Sequence, residues 1–374
     1  MAGRGTRGRG ADDGTASAAK RGDDTIAPPM PAASVLLRVA FACLAGAATA
    51  AGAQGGGAAR EGTRYGTRAD VVAFAREVAA DTGLDRERVE RWLAAARFQP
   101  RIVELMSRPI VDPPRWFEYS PPFLSAERVA AGVAWWKANE DALDRAQARF
   151  GVPPEVVVAI VGVETYYGRA TGSHRVIDAL ATLAFDYPRR APFFRGELKE
   201  FLLLAREQGF SPLSPRGSFA GAMGVPQFMP GSYRRYAVDF DGDARVDLWT
   251  GAADAIGSVA NYLARHDWRP GESALAPARI AAGTRESVVR RLDGGMSERR
   301  PLDAWAADGV EPALALEPVD EPVGLLLLEE AADEASVWIA LPNFYVITRY
   351  NRSRLYATAV WRLAEALRDA RGSP

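Results

Sequence analysis

The stretch VVVAIVGVETYYGR, residues 156–169, is an apolar run that ends at a single carboxylate, Glu164, and continues into two tyrosines. Apolar residues at every helical position predict a buried helix, which we expect to run to Gly168. A carboxylate removed from water must find partners or become neutral through a raised pKa, and either route can produce a general acid. The alternative is an ordinary carboxylate at a helix end, paired with Arg169 or exposed.

The composition indicates a globular protein and excludes several kinds of site. The chain has 374 residues, of which 48% are hydrophobic and 25% charged, and its net charge of -1 gives no indication of nucleic-acid binding. Cys43 is the single cysteine, so an internal disulfide and a thiolate metal site are excluded. Two histidines, His174 and His266, leave little room for a Ser-His-Asp triad or a histidine-rich zinc site.

The N-terminal residues 1–60 are expected to be disordered and to contain an export signal. The segment from Met30 to Gln54 has a moderately apolar core followed by small residues, which predicts export with cleavage near Ala53. The long region before it indicates Met30 as the start. Lipid attachment at Cys43 and an uncleaved anchor are the alternatives.

Helical periodicity covers residues 61–150, which we predict to form an N-terminal helical domain. Two helices are expected first, one ended by Gly83 and the next capped by Asp85. The proline-punctuated segment 111–123 is expected to be mostly irregular, and a long helix capped at Ser125 should follow it.

The C-terminal half changes character after residue 269. Short β-prone runs at 322–328 and 335–341 predict a small αβ insert, and Tyr356 begins a final apolar helical stripe that ends at Leu367. After the disordered N-terminus, the predicted folded segments are the N-terminal domain 61–150, a core segment 151–269 that contains the acidic loop 239–250, the insert 270–342 and a closing segment 343–374.

Several long blocks occur in a fixed order from residue 150 onward: FGVPPEVVVAIVGVETYYGR, DALATLAFDYPRRAPFFRGELKEFLLLAR, GSFAGAMGVPQFMPGSYRRYAVDFDGD, DAIGSVANYLARHDW and LPNFYVITRYNRSRLYATAV. From about Tyr119 to the end, the chain resembles the membrane-bound lytic transglycosylase B family, which cleaves peptidoglycan. The resemblance implies a mainly α fold, with a lysozyme-like helical catalytic core, an N-terminal helical region and a small αβ insert.

The resemblance also implies that Glu164 is the catalytic glutamate. No second carboxylate lies in an equally suggestive block, since Asp178 and Asp186 have the pattern of local cap or turn residues. Ordinary glycosidases need two carboxylates, whereas lytic transglycosylases work with one. Glu164 would protonate the oxygen of the MurNAc-β-1,4-GlcNAc bond and then, as a base, take the proton of the C6 hydroxyl. The substrate's N-acetyl oxygen would stabilise the cation, and the product would carry a 1,6-anhydromuramic acid end.

The remaining substrate-binding candidates combine polar groups, aromatic rings and arginines. In the block GSFAGAMGVPQFMP, Ser218 and Gln227 match residues that line the family's cleft, and Met223 lies between them. Aromatic faces stack on sugars and arginines hold carboxylates. Further positions that match the cleft are Tyr119, Tyr262, Tyr350, Asn351, Arg189 and Arg190. Each tyrosine taken alone could equally be a core residue, and Pro226 stands where some members of the family have glycine.

The segment AVDFDGDARVDLW, residues 237–249, resembles a calcium loop. Its predicted ligands are Asp239, Asp241 and Asp243, the backbone carbonyl of Arg245 and, from the resemblance, the later Asp254. Two positions depart from the pattern, because Ala244 replaces a glycine and Thr250 replaces a bidentate glutamate. We expect structural Ca²⁺ or Na⁺ and no catalytic cofactor; the alternative is an Asp-rich turn.

The sequence therefore predicts an exported periplasmic lytic transglycosylase that acts as a monomer on peptidoglycan strands. A hydrolytic muramidase and a peptidoglycan-binding scaffold without turnover are the alternatives. No nucleic-acid partner is expected, whereas cell-wall synthesis or division proteins are candidate partners, and the N-terminus could attach the protein to a membrane.

Overall fold

A computed structural model describes residues 63–66, 68–108, 113–292, 294–316 and 319–372. The predicted disordered N-terminus, the export signal near Ala53 and the lipidation alternative at Cys43 lie outside these residues. Within them the chain forms 16 α-helices and six β-strands, so the mainly α prediction is confirmed.

The quoted apolar stretch forms the central helix, Pro154–Thr165, which we call α8 from its place in the chain. Every residue from Val156 to Thr165 is buried, and neighbouring helices cover it on all faces. The expectation that the helix runs to Gly168 is wrong. It ends at Thr165 because Tyr166 and Tyr167 adopt left-handed backbone angles, with φ of 51° and 60°.

The N-terminal region begins with the two predicted helices, which are confirmed. Gly83, at φ 66°, ends the first helix, and the Asp85 side chain caps the second by accepting a hydrogen bond from the amide of Arg88. The helices of this region are α1 (Ala69–Thr82), α2 (Arg86–Ala95) and α3 (Pro100–Ser107).

Two predictions for residues 113–150 need correction. The proline-punctuated segment is not mostly irregular, because it forms two one-turn helices, α4 (Trp116–Tyr119) and α5 (Pro121–Leu124). The Ser125 cap is confirmed, but the long helix is divided into α6 (Ala126–Ala138) and α7 (Glu140–Phe150). Asn139 divides it, since its side chain donates to the carbonyl of Trp135 in competition with the helical ladder.

The middle of the chain continues around α8. A short antiparallel pairing of two residues each joins β1 (His174–Arg175) to β2 (Arg216–Gly217). The helices here are α9 (Val176–Asp186), α10 (Ala191–Glu207), α11 (Pro230–Tyr236) and α12 (Ala252–Ala264). A 3₁₀ turn, Pro188–Arg190, joins α9 to α10.

The predicted αβ insert contains a four-stranded antiparallel sheet in the order β4-β3-β6-β5. The two strands expected from the sequence are confirmed and pair with each other, with Leu326 opposite Trp338. The elements are β3 (Leu275–Ile280), α13 (Arg285–Val289), α14 (Leu302–Ala307), β4 (Val310–Pro312), β5 (Gly324–Glu329) and β6 (Ala335–Ala340). A second hydrophobic cluster around Trp305 packs within this region.

The chain closes with α15 (Pro342–Tyr350) and α16 (Arg354–Arg371). The stripe from Tyr356 to Leu367 is buried, and α16 packs along α8. In the described residues no single helix is long and apolar enough to cross a membrane, although the pair α7 and α8, bent by 115°, has the necessary length and composition.

Candidate active site

Glu164 lies in the last turn of α8 and lines a cavity of about 290 Å³. Its side chain has one hydrogen bond, in which the hydroxyl of Tyr356 donates to Oε1 over 2.6 Å. Burial raises the pKa of Glu164 to about 7, against the opposing effect of that hydrogen bond. The carboxyl group can therefore hold a proton near neutral pH, as a general acid requires.

Tyr356 is a site residue that the sequence analysis assigned only to a core stripe. It is fully buried on α16, 192 positions from Glu164, and its hydroxyl group donates its hydrogen bond to the carboxylate. Burial, with the nearby charge of Glu164, raises the pKa of Tyr356 well above its usual value, so it stays a neutral donor. A tyrosine hydroxyl inside an apolar stripe needs a partner, and this was the available sequence signal.

The cavity also has a wall that the sequence analysis did not find. It consists of Ser125, Glu127 and Arg128 at the start of α6, together with Tyr166 after α8. The hydroxyl of Tyr166 donates to Glu127 Oε1 over 2.8 Å. A second carboxylate thus lines the cavity, although the sequence offered none in a comparably suggestive block.

The loop 217–228 carries three of the predicted substrate-binding residues, and their side chains have different burial and hydrogen bonding. Gln227 has φ 51° and its amide donates to the carbonyls of Gly224 and Thr171, while its buried Oε1 has no hydrogen-bond partner among the described residues. A ligand donor could satisfy that oxygen. Ser218 Oγ already accepts from the amides of Ala222 and Ala220.

Met223 is fully buried, and its backbone pairs with those of Gly217 and Phe228. Its assignment as a substrate-binding side chain is therefore corrected, because a fully buried thioether offers no surface to a ligand. The buried Met223 side chain instead packs in the core beneath the loop and stabilises the loop conformation.

Tyr262 and Tyr350 form an aromatic cluster beside this loop, with ring centroids 4.8 Å apart. Tyr350 donates to the carbonyl of Pro226 over 2.6 Å and so holds the loop that carries Gln227. Burial, with a contribution from the charge of Glu164, raises the pKa of Tyr350 well above its usual value. Asn351, next to it, is buried and accepts from the amide of Ser353.

The other predicted contacts lie in different settings. Tyr119 is 1% exposed and packs on Phe123 with centroids 5.1 Å apart, so it belongs to a packed strap and does not present a face to solvent. Arg189 is exposed before α10, and the guanidinium of Arg190 lies 4.4 Å from the ring centroid of Phe193.

Asp178 and Asp186 are not local turn residues alone. Asp178 pairs with Arg175 and also accepts from the backbone amide of Arg97, and Asp186 accepts from the hydroxyl of Tyr65. Both aspartates connect α9 to the N-terminal region and stabilise the packing between the two.

The acidic loop brings three predicted ligands together. Carboxylate oxygens of Asp239, Asp241 and Asp254 lie within 4.8 Å of one another. Burial, with repulsion from Asp241 and Asp239, raises the pKa of Asp254. Three converging oxygen donors fit a hard cation such as Ca²⁺.

Asp243, another predicted ligand, is not among these three carboxylates and instead accepts from the amide of Arg245, over 2.8 Å. Ala244, where the pattern expects glycine, has φ 67°, so the turn keeps the glycine conformation without the glycine.

The chain is similar to known proteins over most of its length. The model of the transglycosylase SLT domain family matches residues 66–365. Membrane-bound lytic murein transglycosylase B of Escherichia coli strain K12 is 42% identical over 303 residues, which cover 77% of this chain and 80% of that protein.

Two solved structures are similar over about four fifths of this chain. The crystal structure of the soluble lytic transglycosylase SltB1 from Pseudomonas aeruginosa is 44% identical with a TM-score of 0.76, covering 81% of this chain and 100% of that chain. The Escherichia coli lytic transglycosylase Slt35 in complex with calcium is 41% identical with a TM-score of 0.74, covering 83% and 96%. The chain therefore belongs to the SLT-domain transglycosylases, the lyase-type enzymes that cleave peptidoglycan as lytic murein transglycosylases.

Proposed function

We propose that Glu164 is the single acid and base with which this enzyme cleaves the MurNAc-β-1,4-GlcNAc bond. The observation that carries the proposal is a buried carboxyl group with a pKa of about 7, facing a cavity and held by one neutral donor, Tyr356. At neutral pH a large fraction of such groups carries the proton that the leaving oxygen needs.

The reaction proceeds in two steps that use the same carboxyl group. Glu164 donates its proton to the glycosidic oxygen, the bond to C1 of MurNAc breaks, and the substrate's own N-acetyl oxygen stabilises the cation. The Glu164 carboxylate then removes the proton of the C6 hydroxyl as that oxygen bonds to C1. The glutamate ends protonated, no water is consumed, and the glycan carries a 1,6-anhydro end.

The surroundings of Glu164 favour this sequence over hydrolysis. Tyr119, Tyr350 and Tyr356 lie around the carboxyl group, and burial raises the pKa of each, so all three remain neutral. Apart from Glu127 and Arg128 on α6, the groups around the carboxyl are thus neutral phenols and apolar surface, which limits access of water to the cation.

The test is replacement of Glu164 by Gln, followed by mass spectrometry of muropeptides released from purified sacculi. We expect the wild type to release products one water lighter than hydrolysis products, with non-reducible ends. Glu164→Gln should release none while still binding sacculi. Retained release would refute the assignment, and reducible ends from the wild type would make the enzyme a hydrolase. Glu197→Gln is the matched control, because burial also raises the pKa of that glutamate, which lies on α10.

We further propose that Asp239, Asp241 and Asp254 hold a Ca²⁺ ion, with Asp243 and the carbonyl of Arg245 as additional ligands of the loop. The convergence of three carboxylates and the calcium complex of Slt35 support this. The ion would be structural, since it would neutralise the repulsion within the loop at the start of α12.

Attachment and organisation complete the proposal. We propose export to the periplasm through the segment before residue 54, as a monomer whose N-terminus can hold it at a membrane; a membrane-bound relative supports an envelope location. The separate hydrophobic cluster around Trp305 supports the division into a core, 151–269, and an insert, 270–342. Cell fractionation with N-terminal sequencing of the mature protein tests the proposed export and cleavage.

A further inference from the structure

Arg128 is a buried arginine in the wall of the Glu164 cavity, with an exposed fraction of 8%. Its guanidinium bridges two backbone carbonyls: Nε donates to the carbonyl of Pro122 over 2.7 Å, and Nη1 donates to the carbonyl of Gly162. It forms no salt bridge within the part of the chain that the structure describes. A buried guanidinium whose side-chain hydrogen bonds go only to carbonyl groups is unusual, because burial disfavours its charge and lowers its pKa.

The carbonyl of Gly162 belongs to the last turn of α8, two residues before Glu164. It already accepts from the amide of Tyr166, and the partial negative charge of a helix C-terminus is further stabilised by a cation. Arg128 supplies that cation, and its guanidinium carbon lies 4.5 Å from the ring centroid of Tyr166. Arg128 thus attaches the end of α8 to α6.

The contact is reciprocal, because Tyr167 reaches back to α6. Its hydroxyl donates to the carbonyl of Arg128 over 3.0 Å. Gly132 and Gly162 make room for its ring, since a Cβ on either would lie within 2.8 Å of Tyr167 atoms. The left-handed angles of Tyr166 and Tyr167 are strained for non-glycine residues, and these contacts hold them.

We propose that Arg128 is a positioning residue for Glu164, which fixes the last turn of α8 and closes the cavity wall so that the carboxyl group stays dry and aimed at the glycosidic oxygen. The inference rests on the proposed role of Glu164. Arg128 itself transfers no proton and need not touch the scissile bond.

The groups that face Glu164 make its protonation sensitive to this closure. Tyr356 on α16, Tyr350 on α15 and Tyr119 on α4 are neutral, and the two charged groups of the same cavity are Glu127 and Arg128 on α6. The raised pKa of Glu164 comes mainly from desolvation, so water admitted through an opened wall would lower it.

The experiment compares Arg128→Met, Arg128→Lys and Arg169→Met with the wild type on soluble uncrosslinked glycan strands. Arg169 is the matched control, because its guanidinium lies 4.9 Å from the same Tyr166 ring, but it is exposed. The quantities measured are kcat, KM and the pH dependence of kcat/KM, with circular dichroism and melting curves to establish folding.

We expect Arg128→Met to lower kcat by roughly 10-fold or more, with KM within about twofold. The alkaline limb of kcat/KM should move from about pH 7 to lower pH, by roughly half a unit or more. Arg128→Lys should recover part of both effects, since one ammonium can reach only one of the two carbonyls at a time, and Arg169→Met should match the wild type.

An unchanged kcat, or a kcat that falls with an unmoved alkaline limb, would overturn the inference and leave only a structural role for Arg128. If Arg128→Met does not fold, Arg128→Lys provides the test: an alkaline limb of kcat/KM that stays at the wild-type pH in this variant would overturn the inference. These outcomes are separate from failure of the proposed function, which would show as activity in Glu164→Gln.

Discussion

Replacing Glu164 by Gln should make the protein more stable at alkaline pH while it abolishes activity. The folded protein raises the pKa of Glu164 from 4.5 to about 7 through burial. A raised pKa means that the folded state binds a proton more tightly than the unfolded state. Stability from this group is therefore complete below pH 4.5, declines above it, and has been lost once the pH exceeds about 7.

The size of the effect follows from the difference between the two pKa values. The difference between 4.5 and about 7 corresponds to roughly 3 kcal/mol of unfolding free energy in full. Between pH 5 and pH 8 the expected loss from Glu164 is roughly 2–3 kcal/mol, because part of the change has already occurred by pH 5. Glutamine has no charge to bury, and any cost of its amide group is the same at every pH.

The assay is urea unfolding of the wild type, Glu164→Gln and Glu77→Gln at pH 5, 6, 7 and 8. The unfolding free energy of Glu164→Gln minus that of the wild type should rise by roughly 2–3 kcal/mol across this range. Glu77 is exposed on α1, and its variant should run parallel to the wild type. A difference for Glu164→Gln that does not change with pH would refute the argument that desolvation holds a proton on Glu164.

Three further outcomes follow from the same structure. Tyr356→Phe removes the hydrogen bond that lowers the pKa of Glu164, so the alkaline limb of kcat/KM should move to higher pH by roughly half a unit or more; an unmoved limb would contradict this. Removal of calcium by a chelator should lower the melting temperature, since an ion at 100 times its Kd adds about 2.7 kcal/mol; an identical melting curve would argue against the site. Gly132→Ala places a methyl group 2.3 Å from the hydroxyl of Tyr167 and should destabilise the fold by about 1–3 kcal/mol in urea unfolding. Gly196→Ala, where nothing lies within 4 Å, should stabilise it by up to about 1 kcal/mol, and equal effects of the two would contradict the packing argument.

The features that could be predicted from sequence are those set by neighbouring residues. The caps at Asp85 and Ser125 and the stop at Gly83 depend on hydrogen bonds and backbone angles within a few positions. The burial of α8 follows from its apolar residues on every face. Glu164 became a candidate for the same reason, as the one carboxylate at the end of that run.

The errors occur where distant contacts override local preference. The central helix stops at Thr165 because Arg128 and Gly132 on α6 hold the left-handed turn of Tyr166 and Tyr167. Local propensity alone would not favour that turn for tyrosine, so the sequence pattern extended the helix.

By itself the sequence determined the helix caps at Asp85 and Ser125, two strands of the insert, and which glutamate stands at the end of a buried run. Only the tertiary structure decided that Tyr356, 192 positions away, donates to that glutamate, and that Glu127 and Arg128 close its cavity. Helix caps act over a few covalent bonds, whereas desolvation and side-chain hydrogen bonds depend on distances through space between elements far apart in the chain. The protonation state of Glu164, on which the reaction depends, is therefore a property of the packed helices and not of its own segment.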